Sequence, residues 1–306
     1  MRLFRYEDPD EGPALGFLDG ERVIPLSAWS ITSELLEDPD LARLRHQAAL
    51  LAGAAGVAPG ALRPLPAADP GKVVCVGLNY GEHLAEQGRE APGRPVLFAK
   101  FPNAVIASGE PIVRPPGTHA LDLEVELGVV IGRAARRARR EDAMRHVAGY
   151  VVLNDVTARD WQGNKAALRE GETGDGQWLR AKGSDTFLPI GPDFVTADEV
   201  PDPGQLRLRS WRIPAGGPEA GRAVKMQDGS TADMIRSIGE LIEFISSAIT
   251  LDPGDVIATG TPSGVGVFRD PPVFLADGDR VRCAIEGIGV VENAVVDSLP
   301  QGTLGW

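Results

Sequence analysis

Residues 121–131 read Leu121-Asp122-Leu123-Glu124-Val125-Glu126-Leu127-Gly128-Val129-Val130-Ile131. The period-two alternation marks a β-strand, with Leu123, Val125 and Leu127 on one face and Asp122, Glu124 and Glu126 on the other. Same-face carboxylates then stand about 6–7 Å apart. Two readings are open. The strand has one wet face, as antiparallel sheets commonly do, or its carboxylates hold a hard cation that offsets their mutual repulsion.

Around this stretch the pattern is mostly β. Short strands are expected at 73–78, 96–98, 150–153, 206–212, 256–258 and 280–285, with a short helix over 82–87. One long amphipathic helix is expected over 232–248, where Met234, Ile235, Ile238, Leu241, Ile242 and Ile245 keep a three-four spacing. A single long helix among many strands indicates an α+β, mainly β fold. The 37 glycines and 25 prolines agree with frequent turns. Residues 1–65 read as a small N-terminal α/β domain. A hairpin turns at Asp19-Gly20, and a helical stretch covers 33–55. A Pro-rich linker near 63–70 leads into the main domain, 66–306.

Composition narrows the function. The 306-residue chain carries a net charge of −12, so it lacks the basic footprint of a nucleic-acid binder. The same charge repels anions, so an acid-binding site needs local cations. The cluster Arg133-Ala-Ala-Arg-Arg-Ala-Arg-Arg-Glu-Asp-Ala-Met-Arg145 reads as a solvated loop entering a helix. No apolar run is long enough to span a membrane, and the N-terminus has no signal core. Cys75 and Cys283 are the only cysteines, consistent with a reduced, cytoplasmic protein and with no zinc site made of cysteine alone.

Four stretches could carry chemistry. Asp155 ends the apolar strand Tyr150-Val151-Val152-Leu153-Asn154-Asp155. With two carboxylates of the acidic strand it would give three oxygen ligands, a set suited to Mg²⁺ or Mn²⁺. His83 and Glu86 are three apart on the predicted short helix. They form either an exposed surface pair or a general base whose tautomer the carboxylate fixes. Lys182, in Arg180-Ala-Lys-Gly-Ser-Asp-Thr-Phe187, and Lys100, at a strand end, are surface lysines or anion contacts. The turn Thr259-Gly260-Thr261-Pro262-Ser263-Gly264 is a plain turn or a backbone cradle for a carboxylate. His119, close before the acidic strand, could also reach a site there. His46 and His146 read as surface helix residues.

Taken together, five motifs in order resemble the fumarylacetoacetate hydrolase family, over roughly residues 72–296. They are Val76-Gly-Leu-Asn-Tyr80 with His83, Asp122-Leu-Glu-Val-Glu-Leu127, Asn154-Asp-Val-Thr-Ala-Arg-Asp160, Arg180 through Phe187, and Pro253-Gly-Asp255 through Gly264. The resemblance is to the branch of acylpyruvate hydrolases, oxaloacetate decarboxylases and 2-hydroxyhepta-2,4-diene-1,7-dioate isomerases. It implies a rolled mixed β-structure, usually a homodimer. It implies metal ligands at Glu124, Glu126 and Asp155, a catalytic pair at His83 and Glu86, and an active-site lysine at Lys182. Tyr80, Lys100, Gly260 and Thr261 are the expected substrate contacts, and Asp122 is not counted as a ligand. The implied substrate is a small 2-oxo acid reacting through a metal-bound enolate. Hydrolysis of a C–C bond in an acylpyruvate-like acid is the first expectation, because both members of the His–Glu pair are present. Decarboxylation or isomerisation of a 2-oxo or 2-hydroxydienoic di-acid is the alternative, and a non-catalytic oxo-acid binder is the reading of a different class. Gly81 departs from the basic residue or alanine common in the family, and the charge-rich stretch 161–177 is expected to form a loop over the site.

Overall fold

The computed structural model describes residues 1–298. The architecture is α+β and mainly β, as expected. A large mixed sheet carries the strand Val125–Ile131 at its centre, hydrogen-bonded antiparallel to Val147–Asn154 on one side and to Val256–Ala258 on the other. Val73–Gly77 joins parallel to Val256–Ala258, and Val96–Lys100 follows it antiparallel. A second sheet of five strands, Ile112–Arg114, Arg207–Ile213, Val224–Ser230, Arg280–Ile285 and Gly289–Asp297, closes over the first. The core between them includes Leu123, Val125, Leu127, Val129 and Ile131 from the acidic strand's apolar face, packed with Leu208, Val281 and Ile285. The period-two reading therefore held, but the wet face did not. Asp122, Glu124 and Glu126 are all buried, because Arg159, Lys182 and the Thr259–Thr261 turn cover that face.

That strand is also broken. Leu121–Asp122 pairs with Thr157–Ala158 in a separate ladder, and the main strand resumes only at Val125. Across the break at 123–124, Asp122 and Glu124 share one partner, Arg159, and Glu124 alone also reaches Lys182. The predicted helix 232–248 is shorter, Ile238–Ser246. Ser237 caps it in a reciprocal box with Glu240. Met234 and Ile235, though helically spaced, are claimed by tertiary backbone bonds: Ile235 N–H donates to Asn79 O, and Met234 bridges Tyr80. The predicted helix 33–55 is two helices, Ile31–Glu37 and Ala42–Leu51. Pro39 disfavours continuation at Asp38, whose carboxylate accepts the N–H groups of Asp40 and Ala42 instead.

Residues 1–65 contain the expected hairpin, Gly12–Asp19 and Arg22–Pro25. They share a sheet with the rest of the chain. Arg2–Asp8 is hydrogen-bonded antiparallel to Asp193–Thr196, and Arg63–Pro64, read above as part of a linker, pairs with Arg2–Asp8. Among the described residues no helix is long and apolar enough to cross a membrane, and both cysteines are buried and unbridged.

Candidate active site

Strand ends and the short helices Gly81–Glu86, Arg159–Gln162 and Trp178–Gly183 meet around a cavity of about 260 Å³. Its floor is acidic. Glu124, Glu126 and Asp155 each offer an oxygen within 4.8 Å of the others, and all three are buried. Local backbone bonding explains the convergence. Glu124 N–H donates to Asn154 Oδ1 at 3.0 Å, and Asp155 N–H donates to Glu124 O at 2.9 Å, so the two strand ends are laced side by side. On the other flank, Thr259 and Thr261 donate their hydroxyls to Leu127 O and Val125 O, and Gly260 N–H donates to Glu126 Oε2 at 2.9 Å. The Thr-Gly-Thr turn is thus pinned along the acidic strand.

Cations answer this charge. Lys182, from the helix Trp178–Gly183, donates to Glu124 Oε2 and Asp155 Oδ2, each at 2.7 Å. Arg159 reaches Asp122 Oδ2 at 2.9 Å through Nε and Glu124 Oε1 at 2.5 Å through Nη2. Burial alone would push the Glu124 carboxyl up, but Lys182 and Arg159 hold it well below the usual carboxylate range. Glu126 goes the other way. Burial, then repulsion from Asp155 and Glu124, raises it well above a normal carboxyl. Burial works against the Lys182 ammonium, yet Asp155 and Glu124 keep its affinity for the proton high.

The donor set suits a hard divalent cation. It is all oxygen, its three carboxyls lie close enough to share one ion, and repulsion from Asp155 and Glu124 adds to burial in raising the Glu126 carboxyl. Neither cysteine contributes to it, and the cluster contains no histidine.

His83 and Glu86 stand on the helix Gly81–Glu86, which the sequence pattern located to within a residue. His83 Nδ1 lies 2.6 Å from Glu86 Oε1, and the other oxygen of Glu86 accepts Gly264 N–H at 2.9 Å. A carboxylate accepts, so Nδ1 carries the proton and Nε2 holds the free lone pair. His83 is buried, packs edge-on against Phe268, and lines the same cavity as Lys182 and the acidic floor. The surface-pair alternative is therefore excluded. Gln162, Gly163 and Asn164, from the start of the charge-rich stretch, also line the cavity.

Of the expected substrate contacts, only Thr261 lines the cavity. Lys100 is fully buried beneath it. Its ammonium donates to the carbonyls of Val156, Lys182 and Phe187 and sits 2.8 Å from Asp155 Oδ1, so every N–H is already engaged. Tyr80 is fully buried at the helix start, held in the bridge to Met234. Gly260 spends its N–H on Glu126. These three support the walls rather than form them. His119 faces an adjoining cavity, 3.2 Å from Asp160, and not this one. His46 is exposed on its helix, and His146 ends a short 3₁₀ turn.

Sequence reasoning did not single out Arg159, which grips Glu124 and lines the cavity, or Gln227. Gln227 accepts Val125 N–H and donates to Thr261 Oγ1 and Pro262 O, tying the acidic strand to the turn from the second sheet. Arg159 was legible as the residue four beyond Asp155 in a quoted motif. Gln227 lies in no such motif, and only the closure of the two sheets brings it near.

A carboxylate cluster and a carboxylate-supported histidine share one cavity, an arrangement that marks an enzyme active site. The chain belongs to the fumarylacetoacetate hydrolase family: the profile described as "Fumarylacetoacetate (FAA) hydrolase C-terminal" matches residues 72–296. Enzymes of this family are metal-dependent. The chain is 42% identical to a protein of Bos taurus named oxaloacetate tautomerase FAHD2A, mitochondrial, over 97% of this chain and 92% of that one. Among solved structures it resembles a 2-hydroxyhepta-2,4-diene-1,7-dioate isomerase from Mycobacterium marinum, with TM-score 0.71, 33% identity, and 98% and 100% of the two chains covered. It also resembles a fumarylacetoacetate hydrolase from Exiguobacterium antarcticum, with TM-score 0.76, 32% identity, and 97% and 100% covered.

Proposed function

We propose that this protein relocates a proton on a small 2-oxo acid, interconverting keto and enol forms of an oxaloacetate-like substrate. The observation that carries this reading is His83. Its Nδ1 is held by Glu86, and it lines one cavity with Lys182 and the carboxylate floor. C–C bond hydrolysis, the first expectation from sequence, gives way to the isomerisation side of the alternative. The relative at 42% identity is named a tautomerase and a structural neighbour at 33% an isomerase, and both names describe proton relocation without hydrolysis.

The division of labour follows from the residues. His83 Nε2 takes the proton from the carbon beside the carbonyl and returns it to the substrate on the other side of the exchange. Glu86 stabilises the imidazolium formed in between and keeps the ring oriented through its second bond to Gly264. Lys182 places positive charge beside the substrate's oxygens. Glu124, Glu126 and Asp155 would hold Mg²⁺ or Mn²⁺, which supplies Lewis acidity to the oxo-acid oxygens when bound. Arg159 keeps Glu124 in place. A homodimer is proposed as the working assembly, and sedimentation velocity would check it.

The test is a product-resolved assay with each metal. Enol oxaloacetate should lose its ultraviolet absorbance faster with enzyme, with no matching release of pyruvate or CO₂. Faster release of pyruvate from acylpyruvates than interconversion of oxaloacetate would overturn the proposal in favour of hydrolysis.

A further inference from the structure

Three permanent cations line the cavity: Lys182, Arg159 and Arg89. The first two are committed, Lys182 to Glu124 and Asp155, Arg159 to Asp122 and Glu124. Arg89 is exposed, and its guanidinium makes no ion pair or hydrogen bond among the described residues. Glu86, the acid that ends the preceding helix, is already divided between His83 and Gly264.

Its backbone, in contrast, is fixed. The helix Gly81–Glu86 closes with Gly88 N–H donating to Ala85 O and Arg89 N–H donating to Leu84 O, both at 3.0 Å. Gly88 adopts φ +61°, the left-handed conformation that such a closure requires. Arg89 therefore leaves the helix at a set point six residues after His83. An uncommitted guanidinium held over a cavity in a chain of net charge −12 has a specific consequence. It is the one charged wall group whose charge the protein leaves for something else to balance, and a planar fork of N–H donors matches a carboxylate.

We propose that Arg89 is a specificity residue that receives the distal carboxylate of a di-acid substrate, while the 2-oxo acid end lies toward the carboxylate floor and Lys182. This rests on the reading above that the cavity binds a 2-oxo acid. It adds that substrates lacking a second negative charge are discriminated against at Arg89 and not at the floor.

The test compares oxaloacetate with its 4-ethyl ester, which keeps the 2-oxo acid and removes the distal charge. In Arg89→Ala the ratio of kcat/KM for the di-acid to that for the ester should fall by about tenfold, carried by KM. Arg89→Lys should recover part of that ratio. A ratio in Arg89→Ala within about twofold of the native one overturns the assignment. If the native protein interconverts neither compound, the proton-transfer reading falls instead. The ratio of their calorimetric dissociation constants, native against Arg89→Ala, then decides Arg89 by the same criterion.

Discussion

Glu124 ties several parts of the site together, since Lys182 and Arg159 both bind it while its backbone laces the two acidic strand ends together. Glu124→Ala should abolish proton transfer and weaken Mg²⁺ or Mn²⁺ binding in calorimetry by more than about tenfold. Activity that survives in this variant after chelator treatment would refute the carboxylate cluster as the metal site. His83→Ala should leave metal binding intact but lower kcat by about two to four orders of magnitude, the usual worth of a positioned general base. Away from the cavity, Asp193 gives a separate test of electrostatics. Burial pushes its carboxyl up to about 6, against Arg2 and the Val290 N–H that pull it down. An acid with a raised folded pKa is penalised where it must ionise. Stability should therefore fall as pH rises from about 4 through 6, the interval in which the folded form holds the extra proton. Asp193→Asn should accordingly raise the unfolding free energy at pH 8 by about 2 kcal/mol and change it little at pH 4, as denaturant titrations at the two pH values would show. Equal effects at both pH values would contradict this account.

Short elements, more than long ones, place the chemistry. The helix Gly81–Glu86 has only six residues, so its stability comes from what it is tied to, chiefly the Glu86–Gly264 bond and the Phe268 ring against His83. Gly264 has φ +99°, and a Cβ there would come 2.4 Å from Met226 O. Gly264→Ala should displace the turn, loosen Glu86 and lower kcat with metal affinity retained, as kinetics and calorimetry on one preparation would show. Ser237→Ala should cost about 1 kcal/mol in denaturant unfolding with kcat unchanged, because the capping box stands at the start of Ile238–Ser246, outside the cavity wall. The elements also show what sequence could disclose. The strands Val256–Ala258, a continuous apolar run, and Arg280–Ile285, an alternating one, coincide with their expected spans. The dyad was legible because three-residue spacing is enough to bring two side chains together on a helix. Lys100, behind an apolar strand, and Lys182, between small and polar residues, both read from sequence as surface lysines or anion contacts. Only the packing of separate strand ends commits one to carbonyls beneath the floor and leaves the other facing the cavity. Burial of the acidic face was equally hidden, since a face open to water and one covered by Arg159, Lys182 and the Thr259–Thr261 turn share one alternation.

The assembled molecule joins its N-terminal stretch to the site through the large sheet and braces the site from the second. Glu126 approaches the Thr259–Thr261 turn, Asp155 follows the neighbouring strand, and the second sheet sends Gln227 across to both the acidic strand and the turn. A cation gripped by two strand ends favours the folded state by mass action. Millimolar Mg²⁺ or Mn²⁺ should therefore raise Tm in thermal melts of native protein, and the shift should vanish in Glu124→Ala. The sheet also continues past the region matched by the family profile, because Arg2–Asp8 lies hydrogen-bonded along Asp193–Thr196. A protein trimmed to 72–296 would strip that neighbour away and leave a row of bare amides and carbonyls facing outward, a template onto which other chains can stack. Anyone shortening this protein to its recognisable portion should expect a sticky, self-associating product, and the full N-terminal stretch is better understood as the hem that keeps the fabric from unravelling.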